Sequence, residues 1–424
     1  MSASIVERNA KRVKIVVEVE LNGSMLECEE TIQSAVNEVG NLATGEALNR
    51  FDTDGTPIEV GDVTLYSKGK EPKKYQTPYG DVQVERHVYQ TSRGGKTHCP
   101  LENDARIIVT STPRFAKQIS YKYAQCSSGK VVKDLKENHG RCVSRCFVQD
   151  VADAVGGIAL AKEESWKFSP PRLTREVSTI GIGVDGTCML MCEEGYKVAM
   201  VGTISLYDKE GERMHTTYIG ATPENGKRTF FDRMQREIER TKALYPDVRT
   251  MGIADGAAEN WTFLESHTNE QVLDFWHAVG YMRKAVKAVS RKQKEREAWL
   301  DDRCHRLKHR QGAAKRLLGE MQSIDGSKLS GPVRTGLNEA ITYFRNHIHQ
   351  MCYAKYVAQD LPIGSGVTEA ACKTIVKGRL CRSGMKWKEA GAGIVLSLRA
   401  LTHTEGRWEQ FWSKVNQYGI AIAL

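Results

Sequence analysis

The segment between residues 177 and 275 carries the pattern that most constrains the fold. Its first apolar run alternates Ile180, Ile182 and Val184 with small residues and leads to Asp185, and this period of two is typical of a strand. Two more apolar runs follow, then an amphipathic helical stretch, a fourth strand that ends at Asp255, a short helix and a fifth strand. We therefore predict the order strand, strand, strand, helix, strand, helix, strand.

RNase H-like domains use this order, in a mixed sheet with helices on its faces. A doubly wound nucleotide-binding fold is the competitor, but it needs a Gly-rich loop after its first strand. Gly181 and Gly183 lie inside the predicted strand instead. We predict an α/β protein with an RNase H-like mixed-sheet catalytic core and an all-helical insertion, preceded by an N-terminal accessory region and a helix-turn-helix-like helical domain.

The 424 residues allow several domains, and Ser169-Pro-Pro-Arg172 marks a linker because consecutive prolines end helices. The expected regions are an N-terminal accessory region (1–75), a small β module (76–111), a helix-turn-helix-like DNA-binding domain (112–165), the first part of the catalytic core (173–277), a helical insertion (278–360) and the second part of the core (361–424).

Residues 112–160 are predicted to form three short helices. Pro113 stands at the favoured opening position of the first, and Ser144 caps the third, which is expected over Arg145 to Val155. The break at His139-Gly140-Arg141 is short enough for a helix-turn-helix, whose last helix would enter a major groove. Arg141 and Arg145 are then candidate DNA contacts; an ordinary solvated three-helix bundle is the alternative.

Charge is concentrated in three basic tracts. They are Arg106–Cys146 (+7), Ala278–Arg316 (+9) and Lys373–Lys388 (+6), whereas the whole chain carries only +9. In the second tract the charge is of one sign rather than paired along the helix. A polyanionic partner, DNA, is therefore expected at three surfaces.

The chain contains neither 18 consecutive apolar residues nor a signal peptide. Its eleven cysteines lack the spacing of paired zinc knuckles, which favours reduced thiols. We expect a cytoplasmic protein that associates with the bacterial nucleoid when it is bound to DNA.

Three acidic residues occupy distinctive places: Asp185, Asp255 and Glu369. The first and fourth strands of the predicted sheet are neighbours, so Asp185 and Asp255 would lie side by side, where they repel each other unless a cation intervenes. Oxygen ligands suit Mg²⁺, and a pair of such ions can assist in-line displacement at phosphorus. We predict that the three residues are catalytic and bind two Mg²⁺ ions, with Mn²⁺ as a substitute, although each Asp-Gly pair alone also fits a common turn.

The helix expected around Glu369 also carries cations. Lys373 and Lys377 follow Glu369 by four and eight residues, on one helix face, where they could hold the DNA backbone. Arg379 and Arg382 continue the same tract and are further candidate DNA contacts.

Three blocks resemble the DDE transposases of bacterial insertion sequences, specifically the IS-Kra type. They are Leu361-Pro-Ile-Gly-Ser-Gly-Val-Thr-Glu-Ala-Ala-Cys-Lys-Thr, Arg379-Leu-Cys-Arg-Ser-Gly-Met-Lys-Trp and Tyr79-Gly-Asp-Val-Gln-Val-Glu-Arg-His-Val-Tyr-Gln. The resemblance implies that Asp185, Asp255 and Glu369 are the metal-binding triad. It also implies that the protein binds terminal inverted repeats, cleaves the transposon ends and joins them to target DNA, as a homodimer or larger synaptic complex.

Mutator-like relatives of that family carry a helical insertion between the second and third acid, and an acid or Cys, two residues, then His after the fifth strand. Asp274-Phe-Trp-His277 matches this motif. His277 could contact a phosphate or be a packed histidine, and Trp276 is expected to be a core aromatic rather than a base-stacking one. An RNase H-like nuclease or resolvase, or a non-catalytic DNA-binding protein derived from a transposase, remains an alternative to the transposase.

Overall fold

The computed structural model of the chain describes residues 2–9 and 11–419 and has a mixed α/β fold. The strands are β1 (Ser2–Arg8), β2 (Val13–Glu18), β3 (Ile58–Val60), β4 (Val63–Gln76), β5 (Asp81–Thr91), β6 (Gly94–His98), β7 (Thr179–Met191), β8 (Gly195–Tyr207), β9 (Arg213–Ala221), β10 (Arg249–Ala254) and β11 (Glu270–Leu273).

The helices are α1 (Met25–Asn49), α2 (Pro100–Asp104), α3 (Pro113–Gln125), α4 (Ser128–His139), α5 (Arg145–Lys162), α6 (Arg228–Leu244), α7 (Ala258–His267), α8 (Phe275–Val289), α9 (Gln293–His309), α10 (Ala313–Gln322), α11 (Gly331–His347), α12 (Tyr353–Val357), α13 (Gly366–Ala371), α14 (Gly378–Leu380), α15 (Glu389–His403) and α16 (Arg407–Tyr418). A π-helical segment, Cys372–Lys377, joins α13 to α14. Within the described residues, no helix combines the length and the apolar character needed to cross a membrane.

The chain divides into two compact units. The first comprises the described residues up to Phe168 together with Ser397–Thr402 and 407–419, and the second comprises Ser169–Leu396 and His403–Gly406. The first unit contains the antiparallel β1–β2 pair, an antiparallel sheet of β3, β4, β5 and β6, and the helices α3 to α5.

The three helices α3 to α5 begin close to where the sequence predicts them. Ser144 caps α5 as expected, its hydroxyl accepting the N–H of Phe147 at 3.0 Å. Helix α5 runs seven residues past the predicted Val155, to Lys162, because Ile158 and Ala159 continue its buried face.

The second unit is built on a five-stranded sheet in the order β11-β10-β7-β8-β9. Strands β7, β8 and β9 are antiparallel neighbours, whereas β10 is parallel to both β7 and β11. The element order is the one predicted from the alternating runs. Ile180, Ile182 and Val184 are buried in the core of this unit, where Met234 and Ile238 of α6 also lie.

One predicted boundary was wrong. Strand β7 does not end at Asp185 but continues to Met191, and Asp185 lies opposite Val201 of β8. The reason is that Thr187, Met189 and Met191 continue the buried alternation beyond the Asp-Gly pair. Asp185-Gly186 is therefore not a turn.

Candidate active site

Asp185 of β7 and Asp255, which directly follows β10, lie where the parallel pairing of these two strands ends. The parallel pairing of β7 with β10 ends at Gly183 and Ile253, so each aspartate follows that last pair by two residues. The N–H of Gly186 donates to Asp185 Oδ1 at 2.6 Å, and the N–H of Ala257 donates to Asp255 Oδ1 at 3.1 Å. The backbone thus fixes one oxygen of each carboxylate.

The carboxylates influence one another electrostatically. Burial raises the pKa of Asp185, and the charges of Asp255 and Glu369 raise it further, although the hydrogen bond from Gly186 acts in the opposite direction. Like charges beside a carboxylate favour either its protonation or a bound cation. The charges of the other two predicted triad residues thus act on Asp185.

Glu369 is brought to the sheet by α13, which packs on β7 and β8. The hydroxyl oxygens of Thr368 and Thr203 are hydrogen-bonded at 2.8 Å. The thiol of the buried Cys372 donates to Asp185 Oδ2 at 3.5 Å. Neither Thr368 nor Cys372 was predicted as a site residue, although both lie in the block that carries Glu369.

Helix α13 passes directly into the π-helical segment, in which Ile375 and Val376 are buried while Lys373 and Lys377 are exposed. Such π-turns are frequent at functional sites. The side chains of both lysines are therefore exposed to solvent, which a contact with a DNA phosphate requires.

The two arginines of the same tract differ. Arg379 is only 2% exposed, and its guanidinium packs over the ring of Trp387 at 5.2 Å. The expectation that Arg379 contacts DNA does not fit this burial, and we assign it to the core instead. Arg382 is exposed and donates from Nε to the carbonyl of Gly378 at 2.6 Å.

Asp274 connects His277 to the segment that precedes α13. It is 1% exposed and caps α8. Burial alone would raise its pKa, but hydrogen bonds from His277 and Ser365 outweigh burial and hold that pKa below its ordinary value. The same contact with Asp274 raises the pKa of His277.

A ring nitrogen of His277 and one oxygen each of Asp274 and Glu369 lie within 4.8 Å of one another. Ser365 bridges the group, with Oγ 2.9 Å from Glu369 Oε1. Over residues 2–9 and 11–419 this is the group of three whose ligand atoms are close enough to hold a metal ion as they stand. Asp185 and Asp255 lie outside that 4.8 Å group.

Trp276 is not a core aromatic. It is 66% exposed, and the buried aromatic of the motif is Phe275, whose ring packs edge-on against that of Tyr353 at 5.2 Å. The prediction chose the wrong residue because adjacent positions of a helix point about 100° apart, and α8 begins at Phe275.

The helical insertion contributes a contact that sequence reasoning missed. Tyr343 of α11 donates from its hydroxyl to the backbone carbonyl of Asp255 at 2.8 Å. Its ring stacks on Tyr281 of α8 with centroids 3.8 Å apart. No local motif marks Tyr343, because its partner lies 88 residues away.

The second basic tract, in α8 to α10, is partly paired. Arg306 lies 3.4 Å from Asp302 and 3.2 Å from Glu320, and Lys284 lies 2.8 Å from Glu339. The expectation of an unpaired charge of one sign is therefore corrected for this part of the tract. Arg283 and Lys287 are exposed.

In the first unit, Arg141 is buried, at 6% exposure. It donates from Nε to the carbonyl of Thr77 at 3.1 Å and from Nη2 to Gln76 Oε1 at 2.7 Å, and it packs over the ring of Phe115. These partners make Arg141 a structural residue, and we no longer expect it to contact DNA.

Arg145 at the start of α5 is exposed, with Nε 3.1 Å from Ser128 Oγ. The rest of α5 is largely buried, whereas Lys130, Lys133 and Lys136 of α4 are exposed. The exposed positive charge of the three-helix segment thus lies mainly on α4 rather than on the last helix.

No known protein-family model and no curated protein matches this chain.

Proposed function

We propose that the chain is a DNA transposase of the bacterial insertion-sequence type with an RNase H-like catalytic core. One observation carries the proposal: Asp185, Asp255 and Glu369 come from β7, the end of β10 and α13, yet the charges of Asp255 and Glu369 both act on Asp185. Along the chain, three strands are followed by a helix, a strand, a helix and a strand, which is the element order that led to the RNase H-like prediction.

The donor set fits divalent cations. Asp185, Asp255 and Glu369 offer carboxylate oxygens and are each partly exposed. The pKa of Asp185 is raised by its burial first and then by the charges of Asp255 and Glu369. Hard oxygen ligands with access to water and substrate suit Mg²⁺. Bound there, the cations would neutralise charge on the attacking and leaving oxygens of a phosphoryl transfer.

The surrounding residues would position the DNA strand. Lys373 and Lys377 would pair with phosphates beside the carboxylates. His277, held by Asp274, would lie beside a phosphate as well. Water would attack at the transposon end and the freed 3′-hydroxyl would attack target DNA; both steps are displacements at phosphorus, so one site serves for both.

The first unit would bind the terminal inverted repeats through the exposed lysines of α4 and through Arg145. Non-specific contacts with phosphates account for much of such binding and weaken as salt concentration rises. Two ends must be held together for joining, so we propose a homodimer or larger assembly on DNA.

The test is cleavage of DNA that carries the sequences flanking the coding region, with Mg²⁺ and the purified chain. Asp185→Asn should abolish cleavage and leave DNA binding within about twofold. Asp232→Asn, which changes an exposed aspartate of α6, is the matched control and should cleave normally. Cleavage by Asp185→Asn at the wild-type rate would contradict the proposed role of Asp185.

A further inference from the structure

Both oxygens of Asp274 are held by neighbouring groups. Its Oδ1 accepts the backbone N–H of His277 at 2.7 Å and lies 3.0 Å from His277 Nδ1. Its Oδ2 accepts the backbone N–H of Ser365 at 2.6 Å and lies 3.0 Å from Ser365 Oγ. A carboxylate offers about four acceptor positions; the three N–H groups occupy three of them, and Ser365 Oγ lies beside the fourth. We therefore treat Asp274 as a positioning residue.

This arrangement selects one nitrogen of His277. An ionised carboxylate only accepts hydrogen bonds, so Nδ1 carries the proton that points at Asp274. The lone pair of the neutral ring is then on Nε2. A carboxylate that orients a histidine in this way is the usual outer partner of a metal-bound imidazole.

Ser365 orients Glu369 in a similar way. Its hydroxyl has one proton and lies 3.0 Å from Asp274 Oδ2 and 2.9 Å from Glu369 Oε1. Three N–H groups already donate to Asp274, so we assign the hydroxyl proton of Ser365 to the hydrogen bond with Glu369. Glu369 is then held through Oε1, and Oε2 faces no hydrogen-bond donor among the described contacts.

We propose that His277 Nε2 and Glu369 form a nitrogen-containing cation position that takes Mn²⁺ in preference to Mg²⁺. This rests on the proposed function, because Glu369 belongs to the proposed catalytic triad. Imidazole suits first-row transition cations, whereas Mg²⁺ takes oxygen ligands. Asp185 and Asp255 offer only oxygen ligands, so a cation position formed by them would not prefer Mn²⁺ to Mg²⁺ in this way.

The probe is Mn²⁺ alone, bound to the full chain without DNA and observed by electron spin echo envelope modulation, which detects a coordinated ¹⁴N nucleus. His305 and His309 of α9 have ring centroids 4.8 Å apart and could bind Mn²⁺ themselves. The measurement therefore uses the His305→Gln/His309→Gln background.

In that background we expect ¹⁴N modulation that disappears in His277→Gln and persists in His349→Gln, an exposed-histidine control. Asp274→Asn should weaken Mn²⁺ binding about 10- to 100-fold. If His277→Gln does not fold, labelling the histidines with ¹⁵N should change the modulation to that of ¹⁵N without any substitution.

Bound Mn²⁺ without nitrogen modulation would overturn the inference, as would Mn²⁺ and Mg²⁺ binding of equal strength. Neither result bears on the transposase proposal, which is judged by Mg²⁺-dependent cleavage. Conversely, a nitrogen-coordinated Mn²⁺ in a chain that does not cleave DNA would support this site and contradict the proposed function.

Discussion

The hydroxyl of Thr368 occupies the space above Gly183 so closely that a Cβ at position 183 would stand 2.0 Å from Thr368 Oγ1. The same hydroxyl is hydrogen-bonded to Thr203 of β8. The helix that carries Glu369 thus docks on the sheet at the glycine two residues before Asp185. Glycine is required here for the close approach and not for a left-handed backbone.

Gly183→Ala should therefore displace α13 and with it Glu369. We expect a loss of about 1–3 kcal/mol in the free energy of unfolding, as for other overpacked sites, and at least a tenfold loss of Mg²⁺-dependent cleavage. Urea unfolding and a cleavage assay measure the two effects. Gly280→Ala, where an added Cβ meets nothing within 4 Å, is the control.

A second substitution can separate this contact from a general effect of alanine. Thr368→Ala removes the oxygen at 2.0 Å, so Gly183→Ala/Thr368→Ala should recover part of the lost cleavage. No recovery, together with normal folding of the double variant, would contradict the docking explanation.

Arg141 and Arg145 should separate stability from DNA binding. Arg141→Ala leaves the buried carbonyl of Thr77 and the half-buried amide oxygen of Gln76 without their donor, and we expect the free energy of unfolding to fall by about 2–4 kcal/mol. Arg145→Ala removes an exposed cation and should change stability by about 0.5 kcal/mol or less, while DNA affinity and its salt dependence both fall. Thermal unfolding and DNA titrations at two salt concentrations test the pair. If Arg141→Ala instead weakened DNA binding without loss of stability, Arg141 would have to be a DNA contact after all.

Asp185 should make stability depend on pH. Folding raises its pKa, so the folded state is penalised above that raised pKa, and the penalty disappears as the pH falls through it towards the ordinary value of about 3.9. Without Mg²⁺, Asp185→Asn should therefore be more stable than wild type at pH 7, by a margin that shrinks on acidification. Adding Mg²⁺ should stabilise the wild type more than the variant. A margin that grows as the pH falls would contradict the assigned shift.

Tyr343 should hold the backbone at Asp255 in place through its hydrogen bond to the Asp255 carbonyl. Tyr343→Phe keeps the stacking on Tyr281 but removes the hydrogen bond to the Asp255 carbonyl, which is worth about 1 kcal/mol. We expect a higher Mg²⁺ requirement for cleavage with little change in DNA binding. Tyr356→Phe, which loses a longer contact of 3.5 Å to the Gln271 carbonyl, is the control. An unchanged Mg²⁺ titration would show that the insertion does not position Asp255.

The sequence predicted the strands of the catalytic unit well because their periodicity is a local property. It placed Asp185 and Asp255 on neighbouring strands because the first and fourth strands are adjacent in the RNase H-like sheet that this element order predicted. It misjudged the end of β7, since an Asp-Gly pair signals a turn locally while Thr187 and Met189 continue to pack beyond it.

Tertiary partners account for the remaining differences. A count of charges cannot distinguish Arg141 and Arg379, which are buried, from Lys373, which is exposed. The position of Trp276 depends on where α8 begins. Ser365 lies in the predicted block, but its role depends on Asp274, a residue 91 positions earlier.

The most direct test of the proposed function is the detection of joined DNA. The purified chain would be incubated with Mg²⁺, labelled DNA from the sequences flanking its coding region and an unlabelled plasmid, and the junctions would be sequenced. A transposase should join the 3′ ends of the labelled DNA to the plasmid, and Asp185→Asn, Asp255→Asn and Glu369→Gln should each abolish joining. Cleaved ends without any junctions would indicate a nuclease or resolvase, and binding without cleavage would contradict catalysis by this site.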